Sequence, residues 1–168
     1  MKQRTFWRDA RRYWLFILVL TLSALPVFGQ KSQASVDILD LLKRHDEAMN
    51  KHDLEGVLAL FDPGPKTVVM GTGPGEKYQG LAEIREAYTH FFADFDAGSF
   101  THNCYWKNGG GGGNMAWGTA MCKMADTKDG KKREYELNVS AVVQKNGGKW
   151  QFVMFHFSNL TGGSGSGQ

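Results

Sequence analysis

The sequence predicts an α+β fold in which three N-terminal helices pack on a strongly curved antiparallel sheet. Two observations lead to this class. Apolar residues recur at the helical spacing up to about residue 95, and they alternate with a period of two from residue 99 onward. Helices and strands that are segregated along the chain are typical of α+β architectures. A sheet that wraps over helices leaves a cone with a pocket at its open end, which is where a ligand is expected.

The three predicted helices lie in the first part of the domain. The first helix begins near Ser35 and ends near Asn50, after a polar lead-in over residues 30–35. A second, short helix over residues 54–61 and a third helix over about residues 81–95 follow. In each segment the apolar side chains fall on one stripe, so each helix is expected to bury one face.

The predicted strands frame and follow the third helix. Two short strands, over residues 67–70 and 76–79, precede it. Alternation then predicts four long strands joined as an antiparallel meander, over residues 99–107, 115–125, 133–145 and 149–159. The five consecutive glycines within residues 108–114 predict a flexible hairpin loop. Residues 36–160 are thus expected to form one domain, and residues 161–168 a flexible Gly/Ser tail.

The positive charge of the chain lies in its first segment. The 168 residues carry a formal charge of +3, from 20 Lys and Arg against 17 Asp and Glu. Residues 1–29 hold five bases and one acid, a charge of +4, which leaves −1 for residues 30–168. A basic start followed by the uncharged run from Tyr13 to Leu25 is typical of a secretory signal peptide. We predict cleavage after Gly29 and export to a periplasm or to the outside, the alternative being an uncut N-terminal membrane anchor.

Charge and motifs exclude several classes of protein. A near-neutral domain whose bases cluster only at residues 131–133 lacks the basic stripe of nucleic-acid binders. Neither a zinc-type Cys/His spacing nor a dinucleotide motif is present, so no metal and no cofactor are expected. No membrane association is expected after signal cleavage. Cys104 and Cys122 lie on neighbouring predicted strands, where they either form a disulfide in an oxidising compartment or are two separate buried residues.

Three stretches of the sequence occur together in the order found in one superfamily. They are RHDEAMNKHDLEGVLALF at residues 44–61, YQGLAEIREAYTHFF at residues 78–92 and KWQFVMFHFS at residues 149–158. This set resembles the nuclear transport factor 2-like superfamily, and within it the SnoaL-like proteins, over about residues 36–160. The resemblance implies a cone-shaped, cystatin-like fold. Relatives include ketosteroid isomerases, polyketide cyclases, dehydratases and the association domain of calcium/calmodulin-dependent kinase II, so it does not imply one activity.

The resemblance allows one activity to be tested on the residues. Ketosteroid isomerases need a carboxylate base and an oxyanion hole made of a Tyr and a protonated carboxylic acid. The position of that tyrosine falls on His45, the base falls at about Met70 or Gly71, and the second acid falls near residues 138–140. Neither Met70 nor Gly71 can take up a proton. The chain therefore lacks this catalytic set, and whether it is an enzyme stays open.

Two histidines are the candidate catalytic residues. His156 shares a face of the last strand with Trp150 and Phe152, and the resemblance implies that this face looks into the cone. His45 lies on the apolar stripe of the first helix, so the two imidazoles could serve as general acid and base in one cavity. The alternative is that each is a hydrogen-bonded core histidine. The candidate ligand-binding residues of the same cavity are Tyr78, Trp117, Asn138, Ser140, Met154 and Ser158.

Three functions are consistent with these observations. The first is a pocket protein that binds a small apolar or weakly acidic molecule, because the predicted pocket is apolar and has no carboxylate base. The second is an isomerase, cyclase or lyase that uses His45 or His156 as general acid–base. The third is an oligomerisation module, since an apolar outer sheet face predicts a homodimer. The residues assigned to that outer face are Val139, Ala141, Val143, Val153, Phe155 and Phe157.

Overall fold

The structure, a computed structural model, describes residues 33–159. The predicted signal peptide, its cleavage site after Gly29 and the tail at residues 161–168 lie outside the described residues. Within the described part, no helix is long and apolar enough to cross a membrane. The same part of the chain contains no group of His, Cys, Asp and Glu side chains that could hold a metal ion.

The described residues contain three helices, as predicted. They are α1 (Gln33–Lys51), α2 (Leu54–Leu58) and α3 (Gly80–Phe92). α1 begins earlier than predicted, so it includes part of the lead-in assigned to residues 30–35. Asp53 separates α1 from α2, and its side chain accepts a hydrogen bond from the Gly56 N–H at 2.9 Å. This bond satisfies one of the free N–H groups at the start of α2 and fixes where that helix begins.

Six strands in the described part of the chain form one curled, unclosed sheet. They are β1 (Val68–Met70), β2 (Lys77–Gln79), β3 (Thr101–Gly112), β4 (Met115–Lys128), β5 (Lys131–Asn146) and β6 (Lys149–Asn159). Their order in the sheet is β2-β1-β6-β5-β4-β3. Neighbouring strands are antiparallel except β1 and β6, which are parallel. The predicted α+β class and the antiparallel meander of four long strands are therefore confirmed.

The glycine-rich segment is not the loop that the sequence predicts. Residues 109–112 belong to β3 and pair with residues 115–118 of β4, so the turn is reduced to two residues. The strands approach closely at this point, since a Cβ atom on Gly111 would lie 2.7 Å from the Cβ atom of Ala116. Strand pairing uses backbone groups only, and residues without side chains permit the close approach. The prediction of a flexible loop over residues 108–114 is therefore wrong.

A β-bulge in β6 decides which side chains face the helices. The register between β5 and β6 shifts next to Val143, which leaves Val153 as an extra residue on β6. Phe152 is 0% exposed and Phe155 is also buried, so consecutive helix-facing side chains are three residues apart here instead of two. His156 consequently points to the opposite face, although simple alternation places it on the same face as Phe152.

Among the described residues, the sheet thus has a covered face, which packs against the three helices, and an open face, against which none of these helices packs. The predicted assignment of the two faces is inverted in β4, in β5 and in β6 from Met154 onward, whereas Phe152 faces the helices as predicted. Ala141 pairs with Phe155, and directly paired residues share a face, so Ala141 also faces the helices. The predicted outer-face residues that in fact lie in or against the core are Val139, Ala141, Val143, Phe155 and Phe157. The sixth, Val153, is the bulged residue.

Candidate functional site

A buried histidine lies where the covered face meets the helices. His45, on α1, is 4% exposed, and its Nε2 atom lies 2.8 Å from the hydroxyl oxygen of Tyr88 on α3. Burial raises the pKa of Tyr88, so its hydroxyl stays protonated and can donate to the imidazole. The His45 ring has edge contacts with Phe61, Phe152 and Phe155 at centroid distances of 6.5, 5.5 and 5.0 Å. The interior around His45 is therefore filled by aromatic rings.

Asp46 and His102 lie at the surface end of this cluster. Asp46 Oδ1 is 3.9 Å from Nδ1 of His45, and Asp46 Oδ2 is 3.1 Å from Nε2 of His102 on β3. Burial disfavours the charged form of Asp46, but the two histidines outweigh it and lower the pKa of Asp46 to about 2. The hydrogen bond with Asp46 raises the pKa of His102 above its usual value of 6.5. A carboxylate–imidazole pair therefore joins α1 to the edge of the sheet.

A disulfide lies next to this pair. Cys104 and Cys122 are directly opposite residues of β3 and β4, and their sulfur atoms are bonded. The structure thus contains the disulfide that the sequence leaves open, and the described residues include no free cysteine. Nδ1 of His102 lies 3.8 Å from Sγ of Cys104. The contacts therefore run without interruption from the buried Tyr88 to a sulfur on the edge strand.

Most of the predicted site residues lie together on the open face. They are Trp117 on β4, Asn138 and Ser140 on β5, and Met154, His156 and Ser158 on β6. Ser140 pairs across the strands with both Thr119 and His156, and its hydroxyl donates a hydrogen bond to Thr119 Oγ1 at 3.0 Å. A polar row thus crosses a face that is otherwise rich in Trp and Met. The sequence groups these residues correctly but predicts the wrong side of the sheet for them.

An apolar hollow lies at the β3–β4 hairpin. Its volume is about 530 Å³, and the residues that line it are Gly111, Gly112, Met115, Ala116, Trp117 and Val142. The Trp117 side chain is half-exposed, at 49%. A Cβ atom on Gly110 would lie 3.3 Å from Nε1 of Trp117, so the indole lies against a backbone without a side chain. The result is an accessible apolar surface on which a planar group can stack.

The two candidate catalytic histidines do not share a cavity. His45 contacts Phe155 on the covered face, and His156 is the next residue along β6, so its side chain points to the open face. The bulge at Val153 thus places the two imidazoles on opposite faces of the sheet. That His45 or His156 acts as a general acid or base stays a prediction. Tyr78, predicted to bind ligand at a pocket mouth, is half-buried on β2 and packs against the core.

Sequence reasoning does not identify Tyr88, Asp46 or His102 as site residues. Asp46 follows His45 on a helix, where neighbouring side chains diverge, and that argument assigns it to a solvated face. Its contact with His102 exists only because the fold brings β3 against α1. One signal was present in the sequence. His102 and Cys104 are two residues apart on a strand and therefore share a face.

A family model supports the assignment that the three sequence stretches suggest. The model of the SnoaL-like domain matches residues 38–162. This range contains α2, α3 and all six strands, together with most of α1. Among curated proteins, none matches the chain.

Solved structures share the fold at low sequence identity. The chain is similar to a nuclear transport factor 2-like superfamily protein from Salmonella enterica, with 21% identity and a TM-score of 0.68 over 83% of this chain and 100% of that chain. It is similar to a protein of unknown function with a cystatin-like fold from Nostoc punctiforme, with 20% identity and a TM-score of 0.62 over 76% and 92%. A protein from Xanthomonas campestris, proposed to be a calcium/calmodulin dependent protein kinase II association domain, has 18% identity and a TM-score of 0.66 over 83% and 94%. The TM-scores show a shared fold, and at such low sequence identity they do not indicate the activity of this chain.

Proposed function

The chain belongs to the family of SnoaL-like domains, and from this premise we propose that it is an exported protein that binds a small apolar or weakly acidic molecule. The binding surface is the hollow at the hairpin end of the open face. The fold serves ligand-binding and enzyme-like domains alike, so the choice between these classes rests on the side chains.

The half-exposed Trp117 beside the apolar hollow is the observation that carries this proposal. Small-molecule sites have volumes of about 300–1,000 Å³ and mostly apolar walls with a few polar groups. The hollow, at about 530 Å³, falls in this range, and Met115 and Val142 extend its apolar wall. Met154 pairs with Val142, and His156 lies two residues further along β6. The open face thus offers an imidazole near the hollow for a weakly acidic substituent.

Binding is favoured over acid–base catalysis by the placement of His45. A general base must come within hydrogen-bond reach of the proton that it removes. His45 is buried and bonded to Tyr88, and the sheet separates it from a molecule on the open face. An enzyme that uses His156 alone needs a second group there, and the hydrogen-bonded pair in its row consists of two hydroxyls, those of Ser140 and Thr119.

Fluorescence titration with 1-anilinonaphthalene-8-sulfonate, which is both aromatic and acidic, tests the binding surface. Trp117→Ala is expected to weaken binding at least about tenfold, which corresponds to about 1.4 kcal/mol. Trp106→Ala is the matched control, because Trp106 lies on the same face, is 46% exposed and pairs with Met121 outside the hollow. It is expected to change binding less than about twofold. Equal effects of the two substitutions would contradict the proposal.

Export is proposed from the charge and hydrophobicity of residues 1–29 alone. Cell fractionation followed by intact-mass measurement tests it. Protein in the exported fraction is expected to lack the first 29 residues. A full-length mass confined to the membrane fraction would instead support the N-terminal anchor.

A homodimer is a second proposal, which the exposed apolar side chains of the open face favour. These are Met70, Trp106, Met115 and Trp117. Because Met115 and Trp117 also line the hollow, a dimer through this face is an alternative to ligand binding there. Monomers rarely expose large apolar patches, and a second copy could cover this one in a symmetric interface. Sedimentation velocity of the wild type is expected to show a dimer, and Met154→Arg, in the same face, is expected to show a monomer. A wild type that stays monomeric at high concentration would remove this proposal.

A further inference from the structure

The cluster at the β3 edge of the sheet has no part in the proposed binding function. Oδ2 of Asp46 is 3.1 Å from Nε2 of His102, and Nδ1 of the same ring is 3.8 Å from Sγ of Cys104. A sulfur, an imidazole and a carboxylate that orients the imidazole are the parts of an activated cysteine. We propose that the Cys104–Cys122 disulfide is a site of thiol–disulfide exchange, in which external thiols attack Cys104 and His102 is its acid–base partner.

The two sulfur atoms differ in access. Cys122, on β4, is 1% exposed. Cys104 is half-buried on β3, which is the terminal strand of the sheet in the described part of the chain. The rate of exchange depends on access to the sulfur that is attacked. A thiol that approaches the edge of the sheet therefore reaches Cys104, and Cys122 is the sulfur that leaves.

The imidazole of His102 is held between a carboxylate and the sulfur of Cys104. Asp46 engages Nε2, which directs Nδ1 toward Cys104. Asp46 also lies near Nδ1 of His45, whose Nε2 bonds to the buried Tyr88, so the row of contacts is anchored in the core. The bond with Asp46 raises the pKa of His102, so a larger fraction of the imidazole is cationic near neutral pH. A cation next to a sulfur stabilises the thiolate and makes it a better leaving group.

The exchange balances with two thiols, RSH, as the reductant. The first thiolate, RS⁻, attacks Cys104 Sγ and forms a mixed disulfide, and the Cys104–Cys122 bond breaks. Cys122 leaves with the electron pair and takes the proton that the first thiol released. The second RS⁻ attacks the sulfur of the bound R group, so that RSSR departs and Cys104 leaves as a thiolate next to His102, which holds the second proton. Two thiols are oxidised to one disulfide, and the protein disulfide is reduced by two electrons.

The hairpin does not depend on the disulfide for its register. β3 and β4 pair continuously from Thr101 opposite Ala125 to Gly112 opposite Met115, with one bulge. The backbone ladder is therefore expected to hold the two sulfur atoms opposite each other after reduction, so the reduced form can be oxidised again. The backbone hydrogen bonds already hold the two strands together over most of this length, so the disulfide is not needed for that purpose alone.

The first test measures the reactivity of Cys104 in the full chain after reduction with dithiothreitol. Alkylation by iodoacetamide is followed against pH by peptide mass spectrometry. In the wild type, Cys104 is expected to react with a midpoint below about pH 7.5 while Cys122 is protected. His102→Gln is expected to move the midpoint up to about pH 8.5, the value of an ordinary thiol. His90→Gln, at an exposed position of α3, is the matched control and is expected to leave the midpoint unchanged. Equal midpoints in the wild type and His102→Gln would overturn the role of His102.

The second test measures exchange itself. Cys122→Ser, incubated with oxidised glutathione, is expected to form a mixed disulfide at Cys104 at least about fivefold faster than the same protein with His102→Gln added. Near-ultraviolet circular dichroism of the reduced wild type reports whether the domain stays folded. A retained folded spectrum together with the rate difference supports an exchange site. Unfolding on reduction, or a disulfide that dithiothreitol cannot open in the folded protein, would show that the bond is only a structural link.

Discussion

The covered and open faces of the sheet are built from the same strands, yet they bury and expose different chemistry. The covered face packs Phe152 and Phe155 against the helices and encloses His45, which is hydrogen-bonded. On the open face, Trp117 is half-exposed, and His156 belongs to the polar row with Ser140 and Thr119. In this chain the interior of the fold is occupied by its own aromatic rings. The groups suited to recognition lie on the side away from the helices.

This difference shows that membership of a fold family does not locate the binding surface. Side chains along β6 point alternately to the two faces of the sheet. The bulged residue Val153 reverses this alternation, so it decides which face each later side chain of β6 reaches. Without the bulge, His156 and Met154 would face the helices. The location of the site is therefore a property of this sequence, and comparing matched substitutions on the two faces tests it.

The largest expected difference between the faces is in stability. Phe152→Ala is expected to lower the free energy of unfolding by about 3–5 kcal/mol, because it removes a fully buried ring from the core. Met154→Ala, two residues away on the open face, is expected to cost less than about 1 kcal/mol. Denaturation by guanidinium chloride measures both. Similar losses at the two positions would contradict the assignment of the faces.

A smaller difference is expected between the two side-chain hydrogen bonds. Tyr88→Phe leaves Nε2 of the buried His45 without its partner and is expected to cost about 1–3 kcal/mol. Ser140→Ala removes the bond to Thr119 on the open face, where water can replace it, and is expected to cost about 0.5 kcal/mol or less. Urea denaturation of the two variants gives the comparison. A Tyr88→Phe protein as stable as the wild type would mean that His45 is not sealed from water.

The sequence predicts the fold well because the fold depends on patterns that are local. Helical spacing and period-two alternation identify three helices and four long strands, and the family model agrees with the resemblance. The errors are also local in origin. Five consecutive glycines predict a loop, because glycine is disfavoured in strands. That preference does not reveal that their backbone groups can pair with the neighbouring strand. Strand-face assignment fails because one inserted residue inverts every later position of β6, and the faces of the strands beside it are inferred from that end of β6.

The site is predicted only in part. Cross-strand grouping of Trp117, Ser140 and His156 follows from alternation and is correct. Their side of the sheet depends on a bulge that alternation cannot reveal. The pair of Asp46 and His102 is separated by 56 positions in the chain, and only tertiary packing brings it together.

A still smaller effect on the free energy of unfolding, dependent on pH, is expected from the pair of Asp46 and His102. The pKa of His102 is raised in the folded state, so the stability from its bond with Asp46 is fully present below pH 6.5, its usual pKa, and is lost as the pH rises through the folded value. The pKa of Asp46 is lowered to about 2, so its contribution is present above pH 3.8 and lost as the pH falls toward 2. The stability difference between the wild type and His102→Gln is therefore expected to be greatest between pH 4 and 6.5. It should stay under about 1 kcal/mol, since both side chains are about a third or more exposed.

Denaturation curves at pH 5.5 and pH 9 check this prediction. Ser140→Ala on the open face, which removes no titratable group, is the control, and its difference from the wild type is expected to change less between the two pH values. A His102→Gln difference that grows toward pH 9 would have the wrong sign for an ion pair with Asp46.

Amide chemical shifts during titration with 1-anilinonaphthalene-8-sulfonate test most directly whether recognition occurs on the open face. The shifted ¹H–¹⁵N signals are expected to cluster at residues 111–117 and at Val142, the lining of the hollow. The signals of His45 and Tyr88 are expected to stay in place. Shifts centred on His45, Tyr88 and Phe155, with the hairpin unaffected, would show that the ligand enters the interior and would contradict the account.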